Sequence, residues 1–485
     1  METQIQANGV HGAHHEDERP LRLAAFEMEI SEGTRRNGNW MSAAFHNVTA
    51  VVSAGVLGLP NAMVFLTWGP GIAVLILSWI VTLFSFWQLI QLHERPPNKR
   101  FNRYHELGQE AFGKTRGLWI VVPLQLLVEL SVDILYMVVG GQALQNIYNM
   151  NCSGDCPLSN LGANPYRRTY IWILVFGSVY FLLVQLPNLS SLSKLSLAAA
   201  IMSIGYSTIA WIVPVALNHQ HNDMTNGNGL VSVTPRYHLP YYDGTTRGGK
   251  FHHTGTEAYV LSIFNALSTV AFAYAGHNVS LEIQATLPST PEEPSRIAMW
   301  RGVKLAYAII ALCYFPVALI CYWAYGNDLK NSNLGILRYE SWPVWLATAA
   351  NLMVVIHVIG SYLIYAMPLF DMMELVLVRK WGLHPTFKLR LITRSLYVGF
   401  TMVMAMTFPF FRGLLGFFGG FAYAPTTYFL PCCMWLAMCK PNRWSLEWTV
   451  NWICIILGVL LMLVGSIGGF WQIYVEAYAY KFYPN

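Results

Sequence analysis

Two carboxyl groups, Glu129 and Asp133, stand four residues apart in the otherwise largely apolar stretch 117–149. On a helix that spacing sets both on one face, and a charge at mid-bilayer costs roughly 2.5–3.5 kcal/mol on insertion scales. Such groups must face protein, be paired or carry a proton. The pair is therefore a candidate proton carrier, or a counter-charge for a cationic solute, with structural hydrogen bonding to neighbouring helices as the competing reading. Glu282, on the polar face of a later apolar run, could gate or relay. Three histidines, His46, His277 and His357, also fall inside apolar runs. A lone buried histidine is more often a hydrogen-bonded structural residue than a titrating one. His277 directly follows Gly276 in an interrupted helix, so for it the two readings stand level. Asp371 and Glu374, close to Arg379 and Lys380, read as interfacial ion pairs.

The interruptions carry chemistry of a different kind. The first apolar run contains Ser53-Ala54-Gly55-Val56-Leu57-Gly58-Leu59-Pro60, and the sixth contains Phe272-Ala273-Tyr274-Ala275-Gly276-His277-Asn278. Glycine and proline weaken the helical hydrogen-bond ladder, and Pro60 suits the first turn of a second half-helix. Amides freed near 53–58 offer donors and a positive dipole end to a carboxylate, while carbonyls freed in both runs accept from an ammonium. A zwitterionic α-amino acid fits both ends. Against this, the glycines could serve only close helix packing or a kink. Tyr136, Tyr274, Phe417 and Phe418 could line or lid such a site, although packing explains most aromatic residues in helices of this composition.

These residues need elements to hold them. The 485-residue chain is 54% hydrophobic and 11% charged, far below the roughly 25% charge of a soluble domain. It therefore reads as an all-α membrane protein, with helices predicted near 42–66, 69–92, 117–149, 170–186, 192–217, 257–287, 302–325, 343–378, 391–411, 413–438 and 448–474. Breaks in the first and sixth of about eleven helices are what a five-plus-five inverted repeat produces. Residues 1–40 form a polar tail without the apolar core of a signal peptide, 41–474 a transmembrane domain, and 475–485 a short second tail. With the N-terminus inside, 21 of the 30 basic residues lie on the cytoplasmic side and nine outside, which sets the C-terminus outside. The net charge of +5 describes loops beside a bilayer rather than a nucleic-acid partner.

One outward loop carries the glycosylation sequon at Asn151, overlapping Cys152 and Cys156, a candidate disulfide whose tight spacing leaves the bridge open. The loop at about 218–256 holds His219, His221, His238, His252 and His253, whose spacing matches no standard metal site, so a solvated loop is expected. No hydrolase or dinucleotide fingerprint occurs in a credible context, and neither enzyme activity, metal nor cofactor is expected.

Several stretches resemble plant lysine/histidine-type amino acid transporters of the amino acid/auxin permease family. They are 44–50 with 55–60, 103–109, 271–278 running into 281–286, 357–362, and 419–422 into 424–431, in order along a chain that resembles the family from Trp40 to Tyr483. The resemblance implies a fold similar to the bacterial leucine transporter, with ten core helices plus one, and proton-coupled uptake of amino acids across the plasma membrane with the proton gradient as driving force. Ser53 stands where the family more often has glycine, Asp133 where a small or apolar residue is expected, and the 218–256 loop is longer than usual. An auxin-like weak-acid or vacuolar carrier and a non-transporting amino acid sensor are the alternatives; substrate identity and oligomeric state are not legible.

Overall fold

The computed structural model describes residues 36–95, 99–152, 165–185, 193–225, 256–326, 329, 337 and 342–479. The tail before Arg36, Cys156, the sequence 226–255 and the residues after Ala479 lie outside them.

Span 1 consists of α1 (Trp40–Val51), a 3-10 turn (Ala54–Gly58) and α2 (Leu59–Leu66). Span 2 is α3 (Trp68–Leu92), followed by a short amphipathic helix, α4 (Tyr104–Phe112). Spans 3, 4 and 5 are α5 (Lys114–Asn151), α6 (Pro165–Leu183) and α7 (Ser193–Thr225). Span 6 is α8 (Thr256–Ala273), a 3-10 turn (His277–Val279) and α9 (Ser280–Ala285). Spans 7, 8 and 9 are α10 (Ser295–Tyr325), α11 (Val344–Trp381) and α12 (Phe387–Thr407). Span 10 begins as α13 (Phe411–Phe418), passes through two π-helical stretches (Gly419–Tyr423 and Pro425–Phe429) and ends as α14 (Leu430–Cys439); span 11 is α15 (Leu446–Ala479).

Among the described residues eight helices are long and apolar enough to cross a bilayer, and the bent pair of span 1 makes a ninth. Span 4 is a shorter apolar helix, and span 10 is divided by its π-helical middle.

Contacts between distant segments identify groups of span ends that lie together. The Gly38 amide donates to Thr286 O just past span 6 at 3.1 Å, and Arg100 donates to the Gln284 and Leu287 carbonyls. These mark one face of the bundle, here the N-face. At the opposite face the Gly413 amide donates to Glu476, near the end of span 11, at 3.3 Å.

Three boundaries differ from the sequence expectation. Span 5 runs past 217 to Thr225, because polarity alone does not end a helix and no glycine or proline follows until Gly227. Span 11 continues to Ala479, through good helix formers fixed by the Gln472 amide donating to Glu476 at 2.8 Å. α4 falls between the predicted runs 69–92 and 117–149. It buries Tyr104, Leu107 and Gly108, one face of a helix that is otherwise polar.

Candidate functional site

Span 1 breaks at Val52 and Ser53 and turns by 41°. Ser53 is extended (φ −97°, ψ −173°), so α1 ends with three carbonyls that no later helical amide can reach. Each meets a side-chain hydroxyl instead. Ser361 donates to Thr49 O at 3.4 Å, Tyr365 to Ala50 O at 2.8 Å and Tyr314 to Val51 O at 2.6 Å. Tyr206 adds a longer contact to Ser53 O, 3.4 Å. Beyond the break, the Ser53 hydroxyl accepts from the Gly55 amide at 3.2 Å, so Ser53 caps the second half of the span rather than the first.

Span 6 loses its helical ladder at Tyr274 to Gly276. Gly276 has φ +152°, which L side chains rarely adopt, and a Cβ there would come within 2.8 Å of Val51 Cγ2. A Cβ on Gly55 would come within 2.8 Å of Ala273 Cα. The glycines thus do what both readings asked of them, opening the ladder and letting the two breaks touch. Span 6 bends by less than the 41° of span 1.

The breaks share one hydroxyl. Tyr314 lies 2.6 Å from Val51 O and 2.7 Å from Ala273 O, yet a phenol has a single hydrogen to give. Val51 O also accepts from the Ser53 amide at 2.7 Å, so Ala273 O is the carbonyl that depends on this hydroxyl; the ring of the buried Tyr274 lies 5.1 Å from that of Tyr314. The Tyr274 hydroxyl is buried without a hydrogen bond, and the Tyr136 hydroxyl lies beside Ser361. Tyr136 packs 6.3 Å from Tyr365, and Tyr423 donates to Val128 O at 3.2 Å. Tyrosines from spans 3, 5, 7, 8 and 10 thus enclose the two breaks in a dry, neutral, hydroxyl-rich cage. Ala54, Val56, Leu57 and Gly58 complete its wall from the 3-10 turn, all buried. Tyr206, Tyr314, Tyr365 and Tyr423 escaped the sequence reading. The available signal was that a tyrosine inside an apolar span must find a partner for its hydroxyl.

The charged candidates lie at the edge of this cage. Glu129 accepts from Gln125 at 3.0 Å, its second oxygen has no hydrogen bond, and the Asn278 amide of the span 6 break lies beside it. Asp133 accepts from Tyr397 of span 9 at 2.7 Å, and its other oxygen is likewise unbonded. The two carboxyls share a helix face but turn to different neighbours. Glu282 is half-buried at the N-face, within electrostatic reach of Arg103. Arg103, at the start of α4, pairs with Asp371 at 3.2 Å. Glu374 pairs with Arg390 at 3.1 Å and Arg394 at 3.3 Å. These acidic residues thus reach α4 and span 9, beyond the neighbours in sequence from which ion pairing was expected.

The histidines divide. His277 Nε2 lies 3.0 Å from both Ser85 Oγ and Thr82 O of span 2, with its ring 4.9 Å from Phe86, so it ties span 6 to span 2 and points away from the cage. His357 lies 3.0 Å from Ala199 O and 3.3 Å from Ser361 Oγ. His46 lines an N-face cavity of about 230 Å³ with Asn39, Met41, Ser42, Phe45, Lys194 and Leu197. Phe417 is not brought to the cage. It stacks on the exposed Phe421 at 5.6 Å, while Leu415, on the opposite side of the helix, faces Gly58.

Outside the bundle centre, Asn151 is the last residue of α5, and its side-chain amide donates to Ile147 O and Thr348 Oγ1, both at 2.8 Å. Cys152 is disulfide-bonded, and the six other cysteines among the described residues are free. Beyond the N-face end of span 2, burial, reinforced by Arg100 and Arg36, lowers His93 to about 3. Burial beside Arg103 lowers His105 of α4 to about 4. Both rings stay neutral at physiological pH and so pack without a counter-ion.

Solved structures similar to this chain include a manganese transporter of Eremococcus coleocola, 13% identical, covering 91% of this chain and 92% of that one at TM-score 0.49. A Na+-coupled sialic acid symporter is 10% identical, covering 95% and 97%, at TM-score 0.46. In sequence the chain is 51% identical over 448 residues to Lysine histidine transporter-like 1 of Arabidopsis thaliana, covering 92% of this chain and 91% of that one. It is 50% identical over 447 residues to Lysine histidine transporter-like 3 of the same plant, covering 92% of each. With Amino acid permease 1, also of Arabidopsis thaliana, identity is 29% over 90% of each chain. Residues 36–471 match the family described as transmembrane amino acid transporter protein, and the chain belongs to that family.

Proposed function

We propose that this amino acid transporter is a proton-coupled symporter that imports amino acids across the plasma membrane by alternating access. The observation that carries the reading is the pair of carbonyls, Val51 O and Ala273 O, one from each broken helix, that meet at the single hydroxyl of Tyr314, with Val51 O also held by the Ser53 amide. A substrate ammonium donates to Ala273 O when Tyr314 turns to Val51 O, and to the second lone pair of Val51 O. Its carboxylate takes the amides at the start of the 3-10 turn, where the Gly55 N–H now rests on Ser53 and is displaced at the cost of one weak hydrogen bond. The cage offers no fixed charge to the backbone of the substrate, which suits a net-neutral zwitterion. Glu129 and Asp133, on the helix that faces the breaks, are candidates for carrying the coupled proton. Spans 1 and 6 rock against the remaining spans, and the ion pairs of Arg103, Arg390 and Arg394 hold the N-face shut until they yield.

The excess of Lys and Arg on N-face segments supports a cytoplasmic N-terminus and an extracellular C-terminus. The names of the nearer relatives make lysine and histidine the first substrates to try. Uptake of radiolabelled amino acids in a transport-deficient yeast, scanned across pH with a protonophore control, tests the proposal. Protonophore-sensitive uptake that rises as external pH falls is expected. Surface expression without uptake would favour a sensor, and residence in the vacuolar membrane a vacuolar carrier.

A further inference from the structure

The break in span 1 is connected to spans 5 and 8 by a buried chain of hydrogen bonds that passes through one imidazole. His357 Nδ1 lies 3.0 Å from Ala199 O of span 5. A carbonyl only accepts, so Nδ1 carries a hydrogen in every protonation state. That fixes the neutral tautomer and leaves Nε2 as the acceptor, 3.3 Å from Ser361 Oγ. Ser361 Oγ in turn lies 3.4 Å from Thr49 O, one of the carbonyls freed by the break. Thr49 closes the circuit to span 5, donating to Ser196 O at 2.8 Å and accepting from Ser196 Oγ at 3.4 Å. His357, Ser361, Thr49 and Ser196 are each no more than 1% exposed.

Ser361 has one hydrogen and two acceptors. With Nε2 bare, that hydrogen is drawn to the imidazole, and Thr49 O loses its donor. With Nε2 protonated, the imidazolium donates to Ser361 Oγ, and the serine hydrogen is turned from the ring toward Thr49 O, with the Tyr136 hydroxyl as the other group beside it. We propose that His357 is the positioning residue for proton coupling, its protonation turning the Ser361 hydroxyl so as to fasten the broken end of span 1 to span 8, and its deprotonation releasing it. This deepens the symporter reading and rests on it. The proton that arrives forms one N–H bond at Nε2 and leaves from the same atom, so no other group is altered.

The surroundings suit such a switch. Tyr206 of span 5 is laid against the ring, at 5.6 Å, with Cys313 and Tyr314 of span 7 near Tyr206, and Tyr136 of span 3, packed on Tyr365, lies beside Ser361. Span 1 presents the neutral Thr49. The N-face cavity is lined by Leu197, next to Ser196, and by His46, one turn before Thr49. The cavity thus comes within one residue of Ser196 and one helical turn of Thr49 on the N-face, the side on which the proposed symporter discharges its proton.

The test uses the full chain in proteoliposomes with radiolabelled L-histidine, after the yeast uptake screen. Two readouts are taken: accumulation driven by an inward pH gradient, and exchange of internal for external substrate with no gradient. Wild type accumulates substrate up to about tenfold for a one-unit gradient and one proton per neutral solute, and its exchange varies across a scan from neutral to acid pH. His357→Gln and Ser361→Ala are expected to keep exchange, lose accumulation, and show an exchange rate flat across that range. Ser361→Thr, which keeps the hydroxyl, is expected to retain coupling. Wild-type accumulation and pH profile in His357→Gln would overturn the inference while leaving the symporter reading intact. Membrane-inserted variants that neither exchange nor accumulate would assign His357 a purely structural role. Wild-type exchange without gradient-driven accumulation would remove the symporter reading, and the inference with it.

Discussion

At the centre of the bundle the polar groups are neutral: peptide carbonyls freed by two broken helices, and tyrosine and serine hydroxyls that reach them. At the N-face they are charged, with Glu374 on Arg390 and Arg394, Asp371 on Arg103 and Glu94 on Arg100. The difference follows from what each region has to release. A hydroxyl on a carbonyl is worth about 1 kcal/mol net and can be exchanged for a substrate ammonium without stranding a charge. A buried ion pair resists opening, because separating it leaves a charge without a partner. The centre is therefore built to trade partners, and the N-face to stay closed until enough energy is gathered to part it.

Five substitutions sharpen or break this contrast. The largest effect is expected at Gly55→Leu, where even a Cβ would press within 2.8 Å of Ala273 Cα. Uptake should vanish while protein still reaches the membrane, as measured by surface labelling; substantial uptake would separate the break from the site. Next, Glu374→Gln leaves two arginines around a neutral group in a nearly buried setting, a cost of about 3–5 kcal/mol. Asp371→Asn, whose side chain is 38% exposed, costs about 0–1 kcal/mol. Thermal unfolding in detergent should rank them in that order. Tyr314→Phe comes third, since it strips the hydroxyl from the buried Ala273 O and leaves Val51 O with the Ser53 amide, a cost of about 1–3 kcal/mol. It is expected to slow transport by about 5–150-fold, and normal kinetics would show that the carbonyls need no donor. The smallest effect belongs to Ser53→Gly, which frees the Gly55 amide for a carboxylate while costing only a few tenths of a kcal/mol as a cap. A KM lower by about fivefold is expected; an unchanged KM would place the carboxylate elsewhere.

The contrast was partly legible in the sequence. Apolar run lengths located the spans, and Gly55, Gly58 and Gly276 marked both breaks, because backbone strain is written in residue type. Partners were not legible. Nothing local says that Tyr314 meets Val51 O, or that Glu374 reaches span 9 for its arginines, since helix packing decides both. The π-helical middle of span 10 has the same cause. Gly419 and Gly420 lie against Ser268 of span 6 and Gly465 of span 11, too close for any Cβ, and the helix widens under contacts that its own sequence does not announce. Phe417 was misjudged because aromatic character says nothing about which side of that distorted helix a ring will take.

The most direct measurement is a density map of the chain with a bound amino acid, at a resolution that separates its ammonium from its carboxylate. The account predicts the ammonium within hydrogen-bond reach of Val51 O or Ala273 O, and the carboxylate on the amides that open the 3-10 turn at Ala54 and Gly55. An amino acid bound elsewhere, with Tyr314 still spanning both carbonyls and the Gly55 amide still on Ser53, would contradict it.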